Sequence, residues 1–138
     1  MGKKVLVIED SRLTCHILEI ELRQKDFDVI VAHDGKEGLL KAQTIAADII
    51  LLDLVLPDIP GEEVCRKLRK DSRTENIPII MLTGKDTEVD RVIGKVLGAQ
   101  GYIAKPFDID QLLTEINKWI VVMLLVFCIC ASVSMLVA

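Results

Sequence analysis

Four short apolar runs stop abruptly at five polar residues, and that punctuation organises the chain. Val5 to Ile8 ends at Glu9 and Asp10, Ile49 to Leu52 at Asp53, Ile79 to Leu82 at Thr83, and Tyr102 to Ala104 at Lys105. Runs of strand length alternate with longer stretches of helical period, which is the pattern of βα units around a parallel sheet. The spacing predicts strands over roughly 4–8, 28–32, 48–53, 77–82 and 101–104, with boundaries good to about two to four residues. The third and fourth are nearly all apolar, as strands covered on both faces should be.

Helices are predicted over roughly 12–25, 36–46, 61–71 and 87–98, with Ser11 placed to cap the first and Gly98 to end the fourth. A fifth begins after Asp108, a candidate cap. There Ile109, Leu112, Leu113, Ile116 and Ile120 recur at spacings of three and four and form one apolar stripe. The amphipathic pattern stops near Trp119. From there to Ala138 every residue is uncharged, because all 17 Lys and Arg and all 21 Asp and Glu lie at or before Lys118.

In an open parallel sheet the C-terminal strand ends share one rim, and ligands bind in the crevice there, so residues far apart in sequence meet. Glu9, Asp10 and Asp53 bring three carboxylates to that rim, Thr83 a hydroxyl and Lys105 an ammonium. Crowded carboxylates repel one another unless a cation offsets them, and Mg²⁺ takes hard oxygen ligands together with a phosphate. A carboxylate can also attack phosphorus, and positive groups must then neutralise the phosphoryl oxygens. The expected arrangement is therefore Asp53 as nucleophile, Mg²⁺ on the carboxylates, Lys105 as counter-charge and Thr83 as a hydroxyl donor. Gly84 would leave the entrance open.

These motifs, Glu9-Asp10, Asp53-Leu-Val-Leu-Pro57, Gly61, Thr83-Gly84 and Gly98 through Phe107, resemble those of a response-regulator receiver domain of two-component signalling over about residues 3–120. The resemblance implies a flavodoxin-like five-stranded parallel sheet of order 2-1-3-4-5. It implies that Asp53 takes a phosphoryl group from a phosphohistidine on a sensor histidine kinase or a histidine phosphotransfer protein. Asp10 and Asp53 would bind Mg²⁺ directly, Glu9 through water, and the Val55 backbone carbonyl would be a further ligand. Thr83 and Tyr102 would form a switch pair acting on the α4-β5-α5 surface, which contacts a downstream protein. The Lys105-Pro106 bond would be cis. Val55 and Lys85, at positions that vary in the family, would tune the phosphate lifetime, and the apolar Val55 predicts slow self-dephosphorylation.

Composition narrows the function further. The chain has 138 residues, room for about one domain and for no second catalytic or DNA-binding domain, and its net charge of -4 argues against direct nucleic-acid contact. Four cysteines without a C-x-x-C pair suit a reducing, cytoplasmic setting. Cys15 and Cys65 read as small buried hydrophobes, Cys128 and Cys130 as packing residues, and His16 and His33 as ordinary surface or packing residues. Three rivals stand beside the receiver, of which a flavodoxin-like nucleotide binder would need a phosphate-cradling loop after the first strand, where this chain has Glu9 and Asp10. A Mg²⁺-dependent aspartate-nucleophile phosphatase needs a second Asp where Val55 stands, and a phosphorylation-independent adaptor would not need Asp53.

The expected organisation is a receiver domain over 1–120 and an apolar helical tail over 121–138. Residues 119–138 would reach about 30 Å as a helix, the thickness of a hydrocarbon core. A membrane anchor on the cytoplasmic face is the direct reading of that tail. A piece of a longer protein, a reading-frame change after Trp119 and a packed oligomer interface stay open beside it.

Overall fold

In the structure, a computed structural model that describes residues 2–84 and 88–137, the alternation becomes β1 (Lys4–Ile8), α1 (Arg12–Arg23), β2 (Asp28–Ala32), α2 (Gly35–Thr44), β3 (Ile49–Leu52), α3 (Gly61–Lys70), β4 (Ile79–Thr83), α4 (Glu88–Val96), β5 (Gly101–Ala104) and α5 (Ile109–Val137). All strand pairs are parallel and their order is β2-β1-β3-β4-β5. The sheet is thus five-stranded, flavodoxin-like and of the expected order.

Alternating side chains send the strands' apolar residues to both faces. Val5, Val7, Ile49, Leu51, Ile80 and Leu82 meet Leu18 and Leu22 of α1 and Leu112 and Ile116 of α5. Leu6, Ile8, Ile50, Leu52, Ile79 and Met81 meet Ala42 of α2 and Val64, Cys65 and Leu68 of α3. Two cores therefore clamp one sheet. This explains why β3 is apolar throughout and β4 apolar up to its last residue, Thr83: each of their residues is buried.

Helix ends follow local chemistry. The Ser11 side chain accepts from the Thr14 N–H at 3.3 Å, and Asp108 Oδ1 accepts from the Asp110 N–H at 2.9 Å. Gly98 has φ +99°, a conformation that favours glycine, and ends α4 with two bonds: its own N–H to the Lys95 carbonyl and the Ala99 N–H to the Gly94 carbonyl.

The start of α2 is doubly secured. The Asp34 side chain accepts from the Glu37 N–H at 2.7 Å, and Asp58, beyond β3, accepts from the N–H groups of Gly35 and Lys36 at 2.7 and 2.8 Å. The Arg69 guanidinium performs a similar task among α3, α4 and the sheet. It donates to the carbonyls of Gly98 at 2.9 Å and Ile77 at 2.7 Å, and to Gln100 Oε1 at 2.7 Å. That same oxygen accepts from the Ile79 N–H at 2.8 Å.

The fifth helix does not stop where its amphipathic stripe stops. It continues unbroken through the tail as 29 residues, about 43 Å at ~1.5 Å per residue. Only its first turns pack on the sheet. Beyond Ile120 the side chains are largely exposed, Phe127 to 75 % and Leu136 to 86 %. Cys128 and Cys130 are exposed too, so this chain does not bury them, whereas Cys15 and Cys65 are buried as expected.

Candidate functional site

The rim assembles the carboxylates from two strands. Glu9 and Asp10 follow β1 and Asp53 follows β3; the Glu9 N–H donates to the Ala32 carbonyl at 2.9 Å and the Asp53 N–H to the Ile8 carbonyl at 3.0 Å, so ladder-type bonds fix where both residues leave the sheet. One ligand oxygen from each of Glu9, Asp10 and Asp53 lies within 4.8 Å of the others. Glu9 and Asp53 are buried, 2 % and 5 % exposed, while Asp10 is open to solvent. The donor set is hard, anionic and accessible from one side, which fits Mg²⁺.

Lys105, delivered by the end of β5, places its Nζ 2.5 Å from Glu9 Oε2 and 2.8 Å from Asp53 Oδ2. Its backbone N–H is tied to the Thr83 carbonyl at 2.8 Å. The Lys105-Pro106 peptide bond is cis, as expected. Burial raises the Glu9 carboxyl to about 7, outweighing the bonds from Lys105 and from the Ser11 N–H, while Asp53 adds to the rise. Burial works downward on Lys105, but its bonds to Asp53 and Glu9 prevail and leave its pKa raised. One ammonium thus serves two buried carboxylates, and the surplus negative charge calls for a second cation.

The loop after Asp53 is held tightly. Asp53 Oδ1 accepts from the Val55 N–H at 3.0 Å, and the Gly61 N–H donates to the Leu54 carbonyl at 2.9 Å. A Cβ on Gly61 would collide with the Asp53 carbonyl oxygen and the Leu54 Cα, so only glycine lets α3 begin so close to the site. Gly84 differs, for a Cβ there meets nothing within 4 Å. Packing among the described residues therefore does not require glycine at position 84.

Thr83 is fully buried at the end of β4, and Tyr102, half-buried in β5, lies against the core on the α2–α3 face. The Val55 side chain is 56 % exposed. Lys85 lies outside the described residues. His16 is exposed and His33 half-buried, with Nδ1 3.9 Å from Cys15 Sγ. Sequence reasoning missed Asp58, which holds N–H groups more than twenty positions back, and Arg69, which joins carbonyls eight and 29 positions ahead; neither stands in a periodic pattern.

A doubly wound parallel sheet with a buried acidic cluster and one lysine at its C-terminal rim defines a class of α/β domain that keeps its reactive groups on a single edge. The description of the response regulator receiver domain matches residues 5–117, and the chain belongs to that family. Response regulator ArlR of Staphylococcus saprophyticus is 45 % identical over 114 residues, covering 83 % of this chain and 50 % of that protein. The alkaline phosphatase synthesis transcriptional regulatory protein PhoP of Bacillus subtilis is 46 % identical over 107 residues, covering 78 % and 44 %. The chain spans about half the length of these curated relatives.

Among solved structures, chemotaxis protein CheY4 of Vibrio cholerae superposes with a TM-score of 0.81 at 32 % identity, covering 86 % of this chain and 98 % of that one. The receiver domain of sensor histidine kinase PA1611 from Pseudomonas aeruginosa gives 0.81 at 30 % identity, covering 87 % and 98 %, and is described with a magnesium ion coordinated in its active-site cleft.

Proposed function

We propose that this receiver is a phosphoacceptor switch in which Asp53 accepts a phosphoryl group from a phosphohistidine on a sensor histidine kinase or a histidine phosphotransfer protein. The observation that carries this reading is the convergence of Glu9, Asp10 and Asp53 within 4.8 Å, with the Lys105 ammonium already on Asp53. Asp10, Asp53 and the Val55 carbonyl would hold Mg²⁺, with Glu9 acting mainly through water. When bound, the ion neutralises charge on the phosphoryl oxygens.

An Asp53 carboxylate oxygen attacks phosphorus; the new P–O bond forms as the P–N bond to the partner's histidine breaks, and its electron pair returns to the imidazole nitrogen. Lys105 meets the incoming oxygens, and the Thr83 hydroxyl donates to one of them. Thr83 and Tyr102 then pass the change to the α4-β5-α5 surface and a downstream protein. In this reading the domain is phosphorylated once rather than turning over a substrate, and its net charge of -4 gives it no cationic surface for nucleic acid. It works on the cytoplasmic side, held at a membrane through residues 119–138.

The test is labelling of the full chain by a small acyl phosphate with and without Mg²⁺. One phosphoryl group per chain, dependent on Mg²⁺ and absent in a folded Asp53→Asn variant, is expected. Continuous phosphate release would identify the phosphatase instead, and no labelling would identify the adaptor. Val55→Asn, which offers a side chain able to position water, is expected to shorten the aspartyl-phosphate lifetime; an unchanged lifetime in a hydrolysis time course would refute that role for position 55.

A further inference from the structure

Chain direction separates the two ends of the molecule. The strands point their C-terminal ends at the site, and α5 returns antiparallel to them, so it leaves the domain at the opposite face, the base. Trp119 marks the exit: it packs against the core on the α1–α5 face, and its Nε1 would stand 3.6 Å from a Cβ on Gly101, the first residue of β5. Its Nε1 donates to Glu115 Oε2 at 3.1 Å, and Lys118 Nζ lies 5.1 Å from its ring centroid.

Past the exit the helix is apolar all round. Leu124, Leu125, Val126 and Phe127 are consecutive, cover most of the circumference at about 100° per residue, and are each at least 48 % exposed. A dimer seam would need one apolar stripe and a polar remainder, whereas a bilayer asks for this pattern. Mean hydropathy reaches 2.7 over an 18-residue window that is wholly unburied. Where helix and base diverge they enclose an open groove of about 520 Å³. One wall is the apolar helix, with Met123, Phe127 and Cys130, and the other, on the base, mixes Lys3, Asp48 and Asn76 with Ala47, Ile77 and Pro78.

We infer that the base of the domain rests on the phospholipid headgroup layer, which fills this groove, so that the receiver stands on the bilayer with its reactive rim facing away. An aromatic ring at the exit and lysines at positions 3 and 118 are the groups that suit an interface carrying anionic lipid. No loop separates the sheet-packed part of α5 from its apolar part, so the stance is fixed rather than tethered. The twelve residues 109–120 put the rim about 18 Å above the headgroups.

This inference rests on the membrane attachment proposed above and not on the phosphoryl chemistry, which the acyl-phosphate assay tests separately. Reconstitute the full chain in vesicles of phosphatidylcholine and phosphatidylglycerol, wash with alkaline carbonate, float the vesicles, and measure quenching of Trp119, the sole tryptophan, by lipids carrying a nitroxide near the headgroup or deep in the acyl chain. The expected result is flotation, with stronger quenching by the shallow nitroxide. Failure to float, whether as a soluble monomer, a soluble oligomer or an aggregate, overturns attachment and stance together. Flotation with Trp119 unquenched, or quenched more by the deep nitroxide, leaves attachment standing and overturns the stance. A full-length Leu125→Arg, Ile129→Arg variant is expected to lose flotation while keeping its circular dichroism and its Asp53 labelling; retained flotation would mean that the apolar helix is not what holds the chain.

Discussion

Glu9 concentrates the electrostatics of the site. Its folded pKa of about 7 lies above the ordinary 4.5, so the proton stabilises the fold below 4.5 and that contribution is lost as pH rises through 7. A divalent cation competes with the same proton. Mg²⁺ is therefore expected to bind more weakly at pH 6 than at pH 8 and to release protons near pH 7, which calorimetry in buffers of different ionisation enthalpy would detect; equal affinity and no proton release would mean that Glu9 is already charged in the free site. The residues that converge on the rim were legible in the sequence because each stands where an apolar run breaks. Arg69 was not: its partners are the carbonyls of Gly98 and Ile77 and the side chain of Gln100, and nothing along the chain marks them as neighbours. Truncating it to Met would strand those acceptors, and a loss of about 1–3 kcal/mol in denaturant unfolding is expected.

Elements were predicted most securely where two signals agreed. The strands were readable because apolar runs and polar stops coincide, and α1 because Ser11 precedes its periodic stripe. The start of α2 was less legible, since half of its cap is Asp58, which arrives from beyond β3. Removing the local half, Asp34→Ala, should cost about 1 kcal/mol of stability, and hydrogen exchange should then quicken in the first turn of α2 before it does elsewhere. The β3–α3 connection is the tightest point near the site. Gly61→Ala forces a methyl group against the Asp53 carbonyl, so a loss of about 1–3 kcal/mol in thermal or urea unfolding is expected; unchanged stability would show that the loop yields freely. The continuity of α5 was hidden because the sequence changes character at Trp119 from one-sided to all-round apolar, and a change in what a helix faces looks the same as an end.

At the scale of the whole molecule, the four cysteines divide into two that the protein covers and two that would need the proposed bilayer for cover. Cys15 and Cys65 are covered by protein, and burial raises both thiols, Cys15 to about 11, so few thiolates form at neutral pH. Cys128 and Cys130 have no cover within the chain. In vesicles a charged maleimide should therefore modify none of the four, and solubilising the bilayer should expose Cys128 and Cys130 alone. Rapid modification of Cys128 and Cys130 in intact vesicles would place the tail in water.

The two cores on opposite faces of one sheet also divide the molecule's optical signals. The chain has one tryptophan and one tyrosine, and Trp119 belongs to the α1–α5 face while Tyr102 belongs to the α2–α3 face. Each half of the interior thus carries its own chromophore, without engineering. If the faces melt as a single cooperative unit, the two emission curves will superimpose on one denaturation midpoint. If the long helix lends its own face extra resilience, the tyrosine transition will come first, and the gap between the curves will measure how unequally the halves are held.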